Sequence, residues 1–156
     1  MTADLLNRIP VTPWVTGTVA RVLRTGRTDA QTWNDCWYDA YTALGGQSQD
    51  SGNKGCPRAA ARGLWLLGRL RDGQRPLVSW STAEVYRELG KNAAYATLAA
   101  ELQATRPGQA PAVLWPLIQH EFTRCTGVPP ARSEQGEVRL VVALVRSQQL
   151  ILCPPQ

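Results

Sequence analysis

Apolar and polar residues alternate along this chain with a helical period almost throughout. After Thr12-Pro13, Val15, Val19 and Val22 fall on one face, and Gly26 offers a stop. A threonine N-cap followed by proline suits a helix start, because the proline's missing N–H has no intrahelical partner to lose. A second helix is predicted after Thr28-Asp29, where Trp33, Cys36, Trp37, Ala40, Tyr41 and Leu44 recur at three- and four-residue steps. Asp35 and Asp39 lie on its other side, and Gly45-Gly46 ends it.

The loop QSQDSGNKG leads to Pro57, which is placed to start a helix running to Arg71. Ser81 and Glu84 have the spacing of a capping box. The segment TAEVYRELGKNAAYATLAAELQAT that follows reads as helix, continuous or broken near Gly90. Ala110-Pro111 opens another helix, ending before Gly127. Its internal Pro116 predicts a kink or a restart, since proline inside a helix costs about 3 kcal/mol or more.

The last segment, GEVRLVVALVRSQQLIL, is rich in strand-favouring valine. Its length and the spacing of Val138, Val141, Val142 and Val145 nevertheless predict a buried helix. GLWLLGRLRDG and VVALVRSQQLI share a pattern, an apolar helix closed by basic or polar residues and a turn, short enough to arise by chance. With no convincing strand alternation, the expected fold is all-α. It is one compact domain of five to six helices over residues 1–156, with residues 1–11 as a flexible N-terminus.

Composition narrows the class. A chain of 156 residues, 44% hydrophobic and 19% charged, can bury a core without disulfide or metal staples and is too apolar for disorder. The start MTADLLNRIPVTPW lacks the basic and apolar regions of a signal peptide. No apolar run reaches the ~18 residues of a membrane span. Cys36, Cys56, Cys125 and Cys153 are widely separated, with no CxxC or CxxH pair and one histidine in the chain. That pattern argues against structural zinc and fits free thiols in a reducing cytoplasm. No metal and no cofactor is expected.

The net charge of +5 comes from seventeen basic residues, fifteen of them arginine. Arginine suits phosphate and carboxylate recognition, although a GC-rich genome also supplies it by default. On the helix after Pro57, Arg58, Arg62, Trp65 and Arg69 share one face, while Ala60, Gly63, Leu64 and Leu67 share the opposite one. Lys54 and the free N–H groups of the helix start precede them. An outward face of this kind offers fixed donors and a stacking platform, the footprint of a phosphate or nucleic-acid contact. The alternative is a solvated basic face with Trp65 covering a neighbouring helix. GNKG is not a P-loop, having neither the GxxxxGK[ST] spacing nor a preceding strand, though it can form a small nest of amides.

Cys56 is the candidate nucleophile. A thiol at a helix start, flanked by Lys54 and Arg58, is expected to have a lowered pKa. Catalysis also requires a base, and His120 lies on a distant segment. Otherwise Cys56 is a small capping residue tucked under the helix. His120-Glu121 does not extend to HExxH, because Arg124 stands four residues on. Asp35 and Asp39 lack a third oxygen ligand and read as a solvated helix face.

Several of these segments together resemble a bacterial domain family of unknown function. The family's members carry a serine-rich turn before a lysine-glycine-cysteine-proline helix start, here Lys54-Gly55-Cys56-Pro57 followed by AAARGLWLLGRL. Lys91-Asn92-Ala93-Ala94-Tyr95-Ala96, Leu114-Trp115, the helix around Trp33 and the terminal VVALVRSQQLI are similar to its other segments. The resemblance spans residues 17 to 151. The chain departs from it at Arg132-Ser133, where the family has histidine-asparagine, and in carrying more arginine after Pro57. The resemblance implies a small, mostly helical cytoplasmic protein and supplies no activity.

Three readings follow. The first is a non-enzymatic binding or regulatory module contacting an anionic partner, nucleic acid foremost, through Lys54, Arg58, Arg62, Trp65 and Arg69. The second is a protein–protein adaptor, monomeric or homodimeric, anchored by Trp14, Trp65 or Trp80. The third and last is a thiol enzyme using Cys56.

Overall fold

The computed structural model describes residues 5–71 and 76–152. An antiparallel hairpin, β1 (Leu5–Leu6) and β2 (Ile9–Pro10), precedes the helices. These are α1 (Val11–Thr25), α2 (Ala30–Ala43), the short α3 (Gln49–Gly52) and α4 (Gly55–Leu66), then α5 (Thr82–Leu89), α6 (Lys91–Thr105), α7 (Pro111–Thr126) and α8 (Glu137–Arg146). The fold is all-α apart from that hairpin and an isolated bridge.

The hairpin lies within residues 1–11, the segment expected to be a flexible N-terminus; residues 1–4 lie outside the described residues. Asn7 and Arg8 both take positive φ, 51° and 66°, as a two-residue turn requires if it is to match strand twist. Leu6 and Ile9 are buried, and Asn7 Nδ2 donates to the Ser51 carbonyl at 3.1 Å. Strands of two residues are too short to register as alternation in the sequence.

Most helix boundaries follow local signals. Asp29 caps α2 by accepting from the Thr32 amide at 2.9 Å. Ser81 and Glu84 form both bonds of the capping box on α5. Gly26 and Gly127 end α1 and α7 in the left-handed conformation, and Gly90, at φ 96°, separates α5 from α6. Helix α1 departs slightly, beginning at Val11 with Pro10 rather than Thr12 at its N-cap. Helix α7 continues through Pro116 without a restart. Pro116 and Ala112 are both exposed, so the carbonyl that loses its donor lies where water can reach it.

Helix α6 is the centre of the molecule. It is buried on all sides, by Ala93, Ala94, Ala96, Leu98, Ala99 and Ala100 among others, as a helix surrounded by helices must be. Helices α4, α5, α7 and α8 pack around it, while α1 and α2 pair and lean on α8 and α4 respectively. The closest approach follows from small residues: a Cβ on Gly63 would lie 2.9 Å from that of Ala93. No helix among the described residues is long and apolar enough to cross a membrane.

Helices α4 and α8 end in the same way. Gly68 (φ 71°) and Gln148 (φ 60°) occupy equivalent left-handed positions. Gly68 N and Arg69 N bond the carbonyls of Trp65 and Leu64; Gln148 N and Gln149 N bond those of Val145 and Leu144. Each set is a Schellman motif. The segments beyond then pair antiparallel at Leu70 and Leu150, through Arg71 N to Gln149 O at 2.8 Å and Ile151 N to Arg69 O at 2.7 Å. The likeness between GLWLLGRLRDG and VVALVRSQQLI therefore has a structural counterpart.

Candidate anion-binding hollow and the start of helix α4

Helix α4 begins at Gly55, two residues before Pro57, with Lys54 as an N-cap whose side chain makes no capping bond. Pro57 falls in the first turn, where its missing N–H costs nothing. The start of α6 and the start of α8 meet it there. Gly136 lies against Pro57, and the Asn92 side chain and the Glu137 carboxyl lie close enough to act on the Cys56 thiol. The KGCP and KNAAYA segments, far apart in sequence, are neighbours in the fold.

Cys56 is partly exposed, and its thiol is held above its ordinary pKa. Burial is the main cause and the Glu137 carboxylate the second; Lys54, Asn92 and Lys91 offset them only in part. The expected activation by the helix start is thus reversed. Glu137 itself is fully buried, and both its oxygens accept from the Gln135 amide, at 3.1 and 3.2 Å. Burial also raises its pKa. In the sequence it looked like any acidic residue in a helix's first turn, so nothing marked it. His120 is exposed on α7.

The outward stripe is not present on the surface. Trp65 is 2% exposed and stacks on Trp33, with ring centroids 5.3 Å apart. The stack continues to Trp37 at 6.4 Å and from there to Trp14 at 4.4 Å. The face of α4 that bears the arginines is turned toward α2. Arg69 is 6% exposed and lies beyond the end of the helix, because the Schellman turn at Gly68 stops α4 at Leu66 rather than near Arg71. It lines a separate hollow of about 230 Å³ with Trp80 and Glu101. Lys54 is exposed, whereas Arg58 and Arg62 are half-buried. Of the opposite face, Ala60, Gly63 and Leu64 are buried as expected, and Leu67 only partly.

Arg58 and Arg62 remain together. With Ala59 between them in sequence they line a hollow of about 280 Å³, which Ala30 and Asn34 of α2 and Glu88 and Leu89 of α5 complete. Arg62 is fixed there: its Nη2 donates to the Thr28 carbonyl at 3.0 Å, while its Nε is buried with no hydrogen-bond partner. Burial lowers its proton affinity against the pull of Asp29, but a guanidinium stays charged at neutral pH. The backbone of Arg58 is also held, its carbonyl accepting from Trp33 Nε1 at 3.0 Å. Asn34, Glu88 and the Thr28 carbonyl come from other segments, and no spacing within the α4 sequence announces them.

The remaining candidates are dispersed. Trp14 is fully buried, which removes it and Trp65 as partner anchors; Trp80 is half-buried. Asp35 and Asp39 are exposed, and no group of three metal-ligating side chains occurs among the described residues. Cys36, Cys56 and Cys125 are free thiols; Cys153 lies outside the described residues. A larger hollow of about 520 Å³ under the hairpin turn is lined mainly by loop residues, with Arg8 as its charged side chain. Comparison of the chain with protein-family models, with curated proteins and with solved structures gives no match.

Proposed function

We propose that the protein is a non-enzymatic binding module that takes an anionic group into the hollow between α2, α4 and α5, through Arg58 and Arg62. The supporting observation is a guanidinium fixed by a backbone carbonyl, half-buried, and with no carboxylate paired to it among the described residues, beside a second guanidinium in the same hollow. A guanidinium with no carboxylate paired to it is a donor set that the oxygens of an anion suit.

Nucleic acid is a weaker form of this reading than a small anion or a single projecting phosphate. Trp65 is buried and offers no base a stacking surface, and Arg69 lies in a different hollow. What is left is a compact pair of cations rather than a track for a backbone.

Calorimetric titration with ethyl phosphate at low salt tests the reading. One site per chain is expected, with affinity falling about tenfold in Arg62→Gln, the worth of a charge-assisted hydrogen bond. Binding that is absent, or indifferent to Arg58→Gln and Arg62→Gln in variants of native stability, overturns it. An oligonucleotide that binds more tightly than ethyl phosphate, with a salt slope of several phosphates, would reinstate the nucleic-acid track.

A further inference from the structure

The hollow holds a third charge. Glu88 lines it together with Arg58 and Arg62, yet among the described residues Glu88 is ion-paired with neither arginine. Helix α4 holds two guanidiniums and α5 a carboxylate around one open space that α2 closes, and none of the three forms an ion pair with another. The apolar lining of the hollow is Ala30, Ala59 and Leu89. An anion alone would leave Glu88 unmatched and would be repelled by it. A molecule with an anionic group at one end and a protonated amine at the other satisfies all three.

Charge count sharpens the class. Within the hollow two guanidiniums, one of them also drawn on by Asp29 outside it, face one carboxylate, a balance suited to a phosphomonoester that carries one ammonium. Resting on the anion-binding reading above, we propose that the hollow selects a small aminoalkyl phosphate. Its phosphoryl oxygens lie on Arg58 and Arg62, its ammonium on Glu88, and its short methylene spacer over Ala59. Asn34 supplies a further donor and acceptor on the α2 side. Small apolar residues let the spacer approach the helix closely, and the polar groups around them set the ligand's orientation.

The test compares O-phosphoethanolamine with ethyl phosphate, which has the same phosphate and no ammonium. Calorimetry is expected to give phosphoethanolamine about a fivefold advantage, the upper range for one partly exposed ion pair. Glu88→Gln, a change on an exposed side chain, should abolish that advantage while leaving ethyl phosphate bound as tightly or more tightly. Equal affinities in the native chain, or an advantage that survives Glu88→Gln, overturn the selectivity and leave the anion site standing. Failure of both ligands to bind removes the anion site itself. Sedimentation with phosphatidylethanolamine vesicles separates the two sources of this chemistry. Retention in solution supports the free monoester, whose charge matches the hollow; Glu88-dependent cosedimentation supports a lipid headgroup.

Discussion

The indole of Trp65 stacks on that of Trp33, with centroids 5.3 Å apart and planes inclined by 23°. This contact joins α4 to α2 and decides the role of the helix face that carries Arg58 and Arg62. Trp33 Nε1 in turn donates to the Arg58 carbonyl, so the stack and the hollow share a support. Trp65→Ala is expected to destabilise the fold by about 3–5 kcal/mol, as removal of a large buried aromatic does. Because Trp65 Nε1 has no hydrogen-bond partner, Trp65→Phe forfeits none and should cost only about 1–2 kcal/mol. Urea denaturation followed by circular dichroism measures both. A surface stacking platform would instead leave stability unchanged in either variant.

Asp29, the Ser81–Glu84 box, Gly26 and Gly127 were legible because each acts through its own few neighbours. The amphipathic face of α2 was legible for the same reason. Helical spacing also showed correctly that Arg58, Arg62 and Trp65 share a face, but spacing does not say which way a face points. With alanines and a glycine opposite, α4 presents its small side to α6 and its large side to α2, so both sides are covered. Arginine stems tolerate such partial cover while the charged ends stay near water. Glu88, Asn34 and Glu137 reach their sites by tertiary packing, and no local pattern encodes that.

Cys56 is expected to behave as a slow thiol. Burial and Glu137 raise its pKa above the ordinary 9.0, so its alkylation by iodoacetamide should reach half-maximal rate above that pH. Glu137→Gln removes the carboxylate's charge and should lower the midpoint, leaving the contribution of burial. Asn92→Ala removes a polar side chain that favours the thiolate and should raise it. Mass spectrometry of the Cys56 peptide distinguishes this thiol from the others. A midpoint below that of free cysteine would revive an activated nucleophile.

Glu137 also makes stability depend on pH. Its folded pKa lies above the ordinary 4.5, so the native state binds more protons than the unfolded chain between 4.5 and the raised value. Stability contributed by this group is therefore fully present below about pH 4.5 and declines as pH rises through the window. Glu101 shifts in the same direction, so the comparison with a variant isolates Glu137. The difference in unfolding free energy between Glu137→Gln and the native chain should grow in the variant's favour from pH 4.5 upward and then level off. A difference that is flat with pH would show that the buried carboxyl titrates alike in both states.

The paired ends of α4 and α8 make opposite predictions at equivalent positions. Gly68 holds φ 71°, and a Cβ there would lie 2.6 Å from Pro76 Cγ, so Gly68→Ala combines an unfavourable backbone with a steric clash. A loss of about 2 kcal/mol is expected, more than either effect alone. Gln148 holds φ 60° with a side chain that L-residues seldom carry in that region, and it is exposed. Gln148→Gly relieves the strain but adds freedom to the unfolded chain, and the balance should raise stability by up to about 1 kcal/mol. Thermal denaturation of the two single variants checks the signs. The two positions are equivalent in backbone hydrogen bonding, yet the Pro76 contact exists only at Gly68. A destabilising Gln148→Gly would mean that its side chain contributes more to the α8 turn than its left-handed backbone costs.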